Sequence, residues 1–289
     1  MNTFSLAEVR AVEADAHAYA GYLADMAVSA LIHEATLTPK PGLVDLRGGG
    51  THADMDWTML CHSARTLQPC FAAMAAAGVT VEDPVSLRRR IGQIGRDGEA
   101  AMLAATGGVN THRGAIWSLG LFVTAASREG RGATADAIAY RAGAIARLPD
   151  PFAPRHTGNK GEIACAAYSV GGARAQAQQG FPHVVDLGLP SLRNARREGE
   201  SEEAARLNCL LAIMGTLDDT CVLSRGGPAA LEFVQAGARR VLASGGVASA
   251  MGRKALRELE SRMVQAGVSP GGAADLLAAT LFLDCVAEN

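Results

Sequence analysis

The spacing of apolar residues constrains this chain most, because it follows the α-helix almost from end to end. Leu23, Ala27, Ala30 and Glu34 fall on one face at i, i+4, i+7 and i+11. Ile116, Leu119, Gly120 and Val123 repeat the i, i+3, i+4, i+7 pattern, and Leu207, Leu210, Leu211 and Met214 do so again. Alanine is abundant and β-branched runs are scarce, which favours helix over strand. No alternating run is long enough to build a sheet, and no repeat of 20–50 residues is present. The pattern predicts helices over 6–36, 53–77, 84–106, 112–128, 133–147, 160–179, 201–217, 219–235, 250–266 and 270–286. The expected fold is all-α: a single multi-helix domain over residues 1–289, with chemistry at helix ends and Gly-rich loops.

With 48% hydrophobic residues the chain can pack a sizeable core. The 4% aromatic content argues against a stacking surface for nucleic acid. A net charge of −2 gives no global field toward DNA or a membrane, so any polyanion site must be a local pocket. No uncharged apolar run reaches membrane-spanning length. The N-terminus MNTFSLAEVRAVEAD has early acids and no apolar signal core. None of the six cysteines forms a CxxC pair, and they read as reduced, buried hydrophobes. A cytoplasmic protein is the expectation, and a homodimer is compatible with it.

Five polar, Gly- or Pro-rich intervals hold the unusual residues. In the first, Glu34 continues an apolar face, so its carboxylate should point inward, where it needs a partner. Pro39 and Pro41 stiffen the chain around Lys40, which either meets a ligand or compensates a helix C-terminus. In the second, Gly107-Gly108 end one helix and Asn110 or Thr111 caps the next, with Arg113 adding charge to the free N–H groups of a helix start. The third, His156 to Glu162, places Asn159 and Glu162 at capping-box spacing. It puts Lys160 in a first turn, against the macrodipole, a conflict that an anionic ligand would resolve. The fourth follows Leu211 and Met214 with Asp218, on the same helical face, and Asp219. These are hard oxygen donors of the kind Mg²⁺ takes, and Arg225-Gly226-Gly227 beyond them offers an anion nest. In the fifth, Ser269 reads as N-cap and Pro270 as N1. Gly271 and Gly272 let a ligand approach the backbone, and Asp275 is either a metal ligand or a dipole-compensating acid. Walker A, dinucleotide-binding, HExxH and nucleophile-elbow patterns are all missing from the sequence.

In this order, EATLTPKPGLVD, GGVNTHRGAIWSLG, HTGNKGE, LDDTCVLSRGG and SPGGAADLLAATLFL resemble the landmarks of the triphosphoribosyl-dephospho-CoA synthase family, from about Ala27 to Leu283. Arg113 departs from the Lys associated with that motif; it keeps the charge but changes the geometry. The resemblance implies a transferase that joins the triphosphoribosyl part of ATP to the 2′-hydroxyl of 3′-dephospho-CoA and releases adenine. The product would be the prosthetic-group precursor of malonate decarboxylase or citrate lyase, with a lean to the former. A holo-acyl-carrier-protein synthase and the carrier protein would act downstream. Glu34, Asp45 and Glu162 are the expected catalytic carboxylates for an oxocarbenium-like transition state. Lys40, Asn110, Thr111, Arg113, Asn159, Lys160, Arg225, Gly226, Gly271 and Gly272 are the expected substrate-binding residues, and Asp218 and Asp219 the expected Mg²⁺ ligands. Two other classes fit the same features. One is an Mg²⁺-dependent all-α N-ribosyl glycohydrolase; the other is a non-catalytic helical protein such as a carrier-protein chaperone.

Overall fold

Helix α5 (Arg113–Glu129) is covered on every side: each residue from Ser118 to Ser127 is buried. A helix apolar all round belongs at the centre of a helical globule, and the computed structural model places it there. It packs against α1 (Leu6–Thr36), α3 (Gln68–Thr80), α4 (Pro84–Ala105), α6 (Ala135–Arg147) and α13 (Gly271–Val286). Small residues permit the close approach; a side chain on Gly78 of α3 would meet the Thr124 carbonyl of α5 at 2.5 Å. The remaining elements are α2 (Trp57–Thr66), α7 (Lys160–Tyr168), α8 (Gly172–Gln178), α9 (Leu189–Arg197), α10 (Glu202–Met214), α11 (Thr220–Ala243) and α12 (Ala250–Ala266). One continuous core runs from Tyr19 to Leu283. The structure describes residues 6–154 and 156–288, with side chains from Asp15 onward except Ala16. Among these the only β pairings are two isolated bridges, so the all-α expectation holds. The opening residues of MNTFSLAEVRAVEAD, 1–5, lie outside the described residues. No helix among those described is long and apolar enough to cross a membrane.

Four boundaries differ from the sequence reading. The helix expected over 53–77 begins at Trp57, capped by Asp56, and is divided at Leu67. Pro69 can donate no hydrogen bond and starts α3 instead. The helix expected over 160–179 breaks after Tyr168, where Ser169 turns left-handed. The helix expected over 219–235 runs on to Ala243, with a kink at Gly227 (φ 67°, ψ −168°) before Pro228. The stretch 180–191, which falls between the predicted helices 160–179 and 201–217, holds a π-helical segment at His183–Gly188 and the start of α9. Its Gly and Pro residues suggest a loop, but Pro190 sits in a first turn, where no N–H is needed, and buried Phe181, Val184, Leu189 and Leu192 anchor the segment.

Candidate active site

The last turn of α1 carries Glu34 inward, as its helical face demands, and the side chain is 6% exposed. The chain then doubles back through Pro39 and Pro41 so that the Lys40 ammonium, fully buried, forms an ion pair with the Glu34 carboxylate. The same ammonium donates to the Glu34 carbonyl at 2.7 Å, so Lys40 also compensates the helix C-terminus. Asp45 braces this loop. It accepts from the Lys40 amide (2.9 Å), the Thr38 hydroxyl (3.1 Å) and the Arg47 guanidinium (2.7 Å), and Arg47 continues to Glu260 of α12. Burial pushes the Asp45 carboxyl up, but the Arg47 hydrogen bonds and the Lys40 and Arg47 amides outweigh it and hold it below its ordinary value. Its oxygens are committed to the loop.

Two further carboxylates sit on helix N-termini. Asp219 caps its own helix, accepting from the Cys221 amide at 2.8 Å, and reaches across to accept from Ala273 of α13 at 2.9 Å. A Cβ on Gly272 would lie 3.1 Å from both Asp219 oxygens, so the group that approaches this glycine's backbone is a carboxylate of the protein itself. Ser269 is not the cap: Pro270 occupies that position, and Ser269 instead meets His52 Nε2 at 3.0 Å. Asp275, one turn into α13, lies against the start of α5. A Cβ on Gly114 would fall 2.0 Å from its Oδ2, and the Ala115 amide donates to it. Burial raises both carboxyls. For Asp219 the surrounding amides oppose the rise only in part. Asp275 is pushed well up, because the negative charges of Glu34 and Asp219 add to the effect of burial.

Between them lies His112, the N-cap residue of α5, buried and paired with Ser63 Oγ at 2.8 Å. Burial and the Lys40 charge push it down to about 4, so it is neutral at pH 7. Ser63 also takes the Thr111 hydroxyl (2.6 Å), while Asn110 accepts from the Arg113 amide (3.2 Å).

The opposite flank is cationic. His52 meets Arg225 Nη2 at 3.2 Å; its pKa is lowered first by burial and then by the charges of Arg225 and Lys160. Lys160 starts α7, whose cap Asn159 accepts from the Glu162 amide at 2.8 Å. Gly161 packs toward Thr220. Among the described residues neither Lys160 nor Arg225 has a carboxylate within ion-pair distance. Glu162 does not supply one. Its carboxylate accepts from the Thr157 hydroxyl and the Thr157 and Gly158 amides, with His156 alongside, and these contacts pull it down to about 2.

All five intervals therefore meet, but several residues named within them do other work. Asp218 is exposed, with His183 as a charge neighbour, because α10 ends at Met214 and the helical face is lost before residue 218. Arg113 turns to Glu99 of α4, its Nε donating at 2.7 Å. Gly226 lies within α11, not in an open nest, and packs closely against Val268 and Ala230. Asp219 spends its oxygens on amides. Among the described residues no group of three His, Cys, Asp or Glu side chains is placed to hold a metal. The sequence reading assigns no role to His52, His112 or Ser63, takes Ser269 as an N-cap, and leaves Asp275 between metal ligand and dipole-compensating acid. His112 and Ser269 stand in the Gly-rich intervals and His52 at the edge of one, whereas Ser63 lies within α2 and carries no local signal.

A family model described as ATP:dephospho-CoA triphosphoribosyl transferase, CitG, matches residues 20–289. The 2-(5''-triphosphoribosyl)-3'-dephosphocoenzyme-A synthase of Klebsiella pneumoniae is 53% identical over 266 residues, covering 92% of this chain and 95% of that protein. The chain belongs to this family. The "Probable 2-(5''-triphosphoribosyl)-3'-dephosphocoenzyme-A synthase" of Stutzerimonas stutzeri (strain A1501) is 57% identical, over 91% of this chain and 90% of its own length. No solved structure matches significantly. The family match spans both flanks of the site, from α1 to α13.

Two outcomes are expected of the site's buried charges. Lys40→Met, which strands Glu34, should cost about 3–5 kcal/mol in urea denaturation, and adding Glu34→Gln should recover much of that. Removing His112 tests the second. Between about pH 6.5 and pH 4 the unfolded chain binds a proton at His112 that the folded protein excludes, so stability falls as pH falls through that window. From pH 7 to pH 5 the loss should be on the order of 2 kcal/mol greater in the wild type than in His112→Gln. Asp219 and Asp275, raised and therefore acting with opposite sign, cancel in that comparison.

Proposed function

We infer that this chain transfers the 5''-triphosphoribosyl group of ATP to the 2′-hydroxyl of 3′-dephospho-CoA and releases adenine. The observation that carries the reading, beside the family membership, is the division of the site into two flanks. Lys160 at the start of α7 and Arg225 in the first turns of α11 have no carboxylate within ion-pair distance among the described residues and are available to an anion; Glu34, Asp219 and Asp275 group together beside them. A triphosphate fits the first flank, where helix N–H groups and cations act together. The second flank suits a ribose whose C1 gains positive charge as the bond to adenine loosens, since fixed carboxylates stabilise charge that develops in the transition state. Water must be kept out, or ATP would lose adenine without transfer. Lys40 contributes by pairing with Glu34 and fixing its carboxylate in place, and Asp45 by holding the Lys40 loop.

The Asp218–Asp219 pair does not fit a resident Mg²⁺, because one acid is exposed and the other is saturated by amides. Mg²⁺ is instead proposed to enter with ATP, held chiefly by phosphate oxygens, as is usual for this ion. The product is proposed to be the prosthetic-group precursor for the acyl carrier protein of malonate decarboxylase or of citrate lyase. Supplying each carrier protein with its holo-acyl-carrier-protein synthase would distinguish them.

Mass spectrometry of protein, Mg-ATP and dephospho-CoA should show the conjugate with an equal yield of adenine. Free triphosphoribose without conjugate would mean a glycohydrolase instead. Lys160→Ala should weaken ATP use about ten- to a hundredfold, as expected for a charge-assisted contact worth roughly 1.5–3 kcal/mol. Its melting temperature without ligand should hardly move. Lys254, exposed on α12, is the control; equal, small effects at both lysines would refute the cationic cradle. Asp218→Asn should leave turnover within about twofold, whereas Asp219→Ala should lower stability by about 0.5–2 kcal/mol through lost capping.

A further inference from the structure

We propose that Asp275 is the general base that accepts the proton of the attacking hydroxyl, an assignment that rests on the transfer reaction above. The carboxylates of the site differ in how their oxygens are used. Glu34 is bound by the buried Lys40 ammonium. Asp45 is taken by Arg47, Thr38 and two amides. Asp219 serves the N-termini of α11 and α13. Glu162 is wrapped by its own loop. Among the described residues no side chain hydrogen-bonds to Asp275, and the Ala115 amide alone offsets part of the rise in its pKa. It keeps lone pairs for a substrate hydroxyl and remains partly accessible.

The sequence makes room for it. Gly114 stands where any side chain would strike the Asp275 carboxylate, at 2.0 Å from Oδ2. Gly271 and Gly272 at the head of α13 let that helix sit close to Asp219 and Cys221, which fixes the turn that bears Asp275. The charged and titratable groups facing it are Glu34 with its Lys40 from the α1 end, and Asp219 and Cys221 from α11; His112, neutral, stands at the N-cap of α5. Burial first, and then the negative charges of Glu34 and Asp219, raise the Asp275 carboxyl well above its ordinary value, which strengthens it as a proton acceptor.

In the step, the O–H bond of the 2′-hydroxyl breaks and its proton passes to an Asp275 oxygen. The hydroxyl oxygen's electron pair forms the new bond to ribose C1, and the C1–N bond to adenine breaks with its pair leaving on the base. Adenine then takes up one proton, equal to the one Asp275 received and afterwards returns to solvent. No oxidant, reductant or further reactant is needed.

The test uses the full chain with Mg-ATP and dephospho-CoA, scored by conjugate and adenine. Wild-type conjugate formation is measured first; its failure would remove the transfer reading itself, separately from this assignment. If Asp275 is the base, Asp275→Asn lowers kcat by about a hundred- to ten-thousandfold. KM for ATP then changes little, and the Mg-ATP thermal shift persists. The acid limb of the wild-type kcat profile should vanish in the residual rate of Asp275→Asn. Asp275→Glu should retain a limb with a displaced midpoint. Gly114→Ala, which displaces the carboxylate without removing it, should also lower kcat. Retention of kcat within about threefold in Asp275→Asn would overturn the assignment. So would a loss confined to ATP binding, or an acid limb unchanged in Asp275→Asn.

Discussion

A carboxylate cannot be buried without donors, and this fold finds most of its donors at the first turns of helices. Asp219 takes amides from α11 and α13, and Asp275 takes one from α5. Glu34, at the end of a helix where no free amides exist, requires the ammonium of Lys40 instead. Each demand ties one helix end to another, so satisfying the acids also sets where α1, α5, α11 and α13 meet. The glycines at 114 and 272 are the steric counterpart: a side chain at 114 would displace the Asp275 carboxylate, and one at 272 would crowd that of Asp219.

The same arrangement separates charge. Glu34, Asp219 and Asp275 crowd where α1, α11 and α13 meet, while Lys160, Arg225 and His52 form a neighbouring cationic group toward α7. In a chain of net charge −2, such separation has to be local. A substrate with a polyanionic tail and a ribose that becomes cationic matches that polarity along its length. Neutral His112 and Ser63 support the first turn of α5 between the flanks without adding charge.

The sequence-level reading succeeded where one helical period extended through the residue in question. Glu34 was placed inward correctly because α1 continues to Thr36. Asp218 was placed inward wrongly because α10 stops at Met214, and the turn that follows presents its neighbour Asp219 instead. Arg113 was read as free because nothing local reveals Glu99, on the preceding helix, as its partner. The close approach that Gly272 permits is made in this fold by the protein's own Asp219, about fifty positions away in sequence.

By itself, the sequence determined the helical fold, the five intervals that hold the chemistry and, through their resemblance, the family. These follow from periodicity, from turn chemistry and from motif order, all of which are local along the chain. Only the tertiary structure decided which acids are spent and which one is free. Whether a carboxylate is an ion-pair partner, a cap or a base depends on which donors reach it, and those donors come from helices far apart in sequence. Asp45 and Asp219 are consumed in this way; Asp275 is left with one amide and two repelling neighbours.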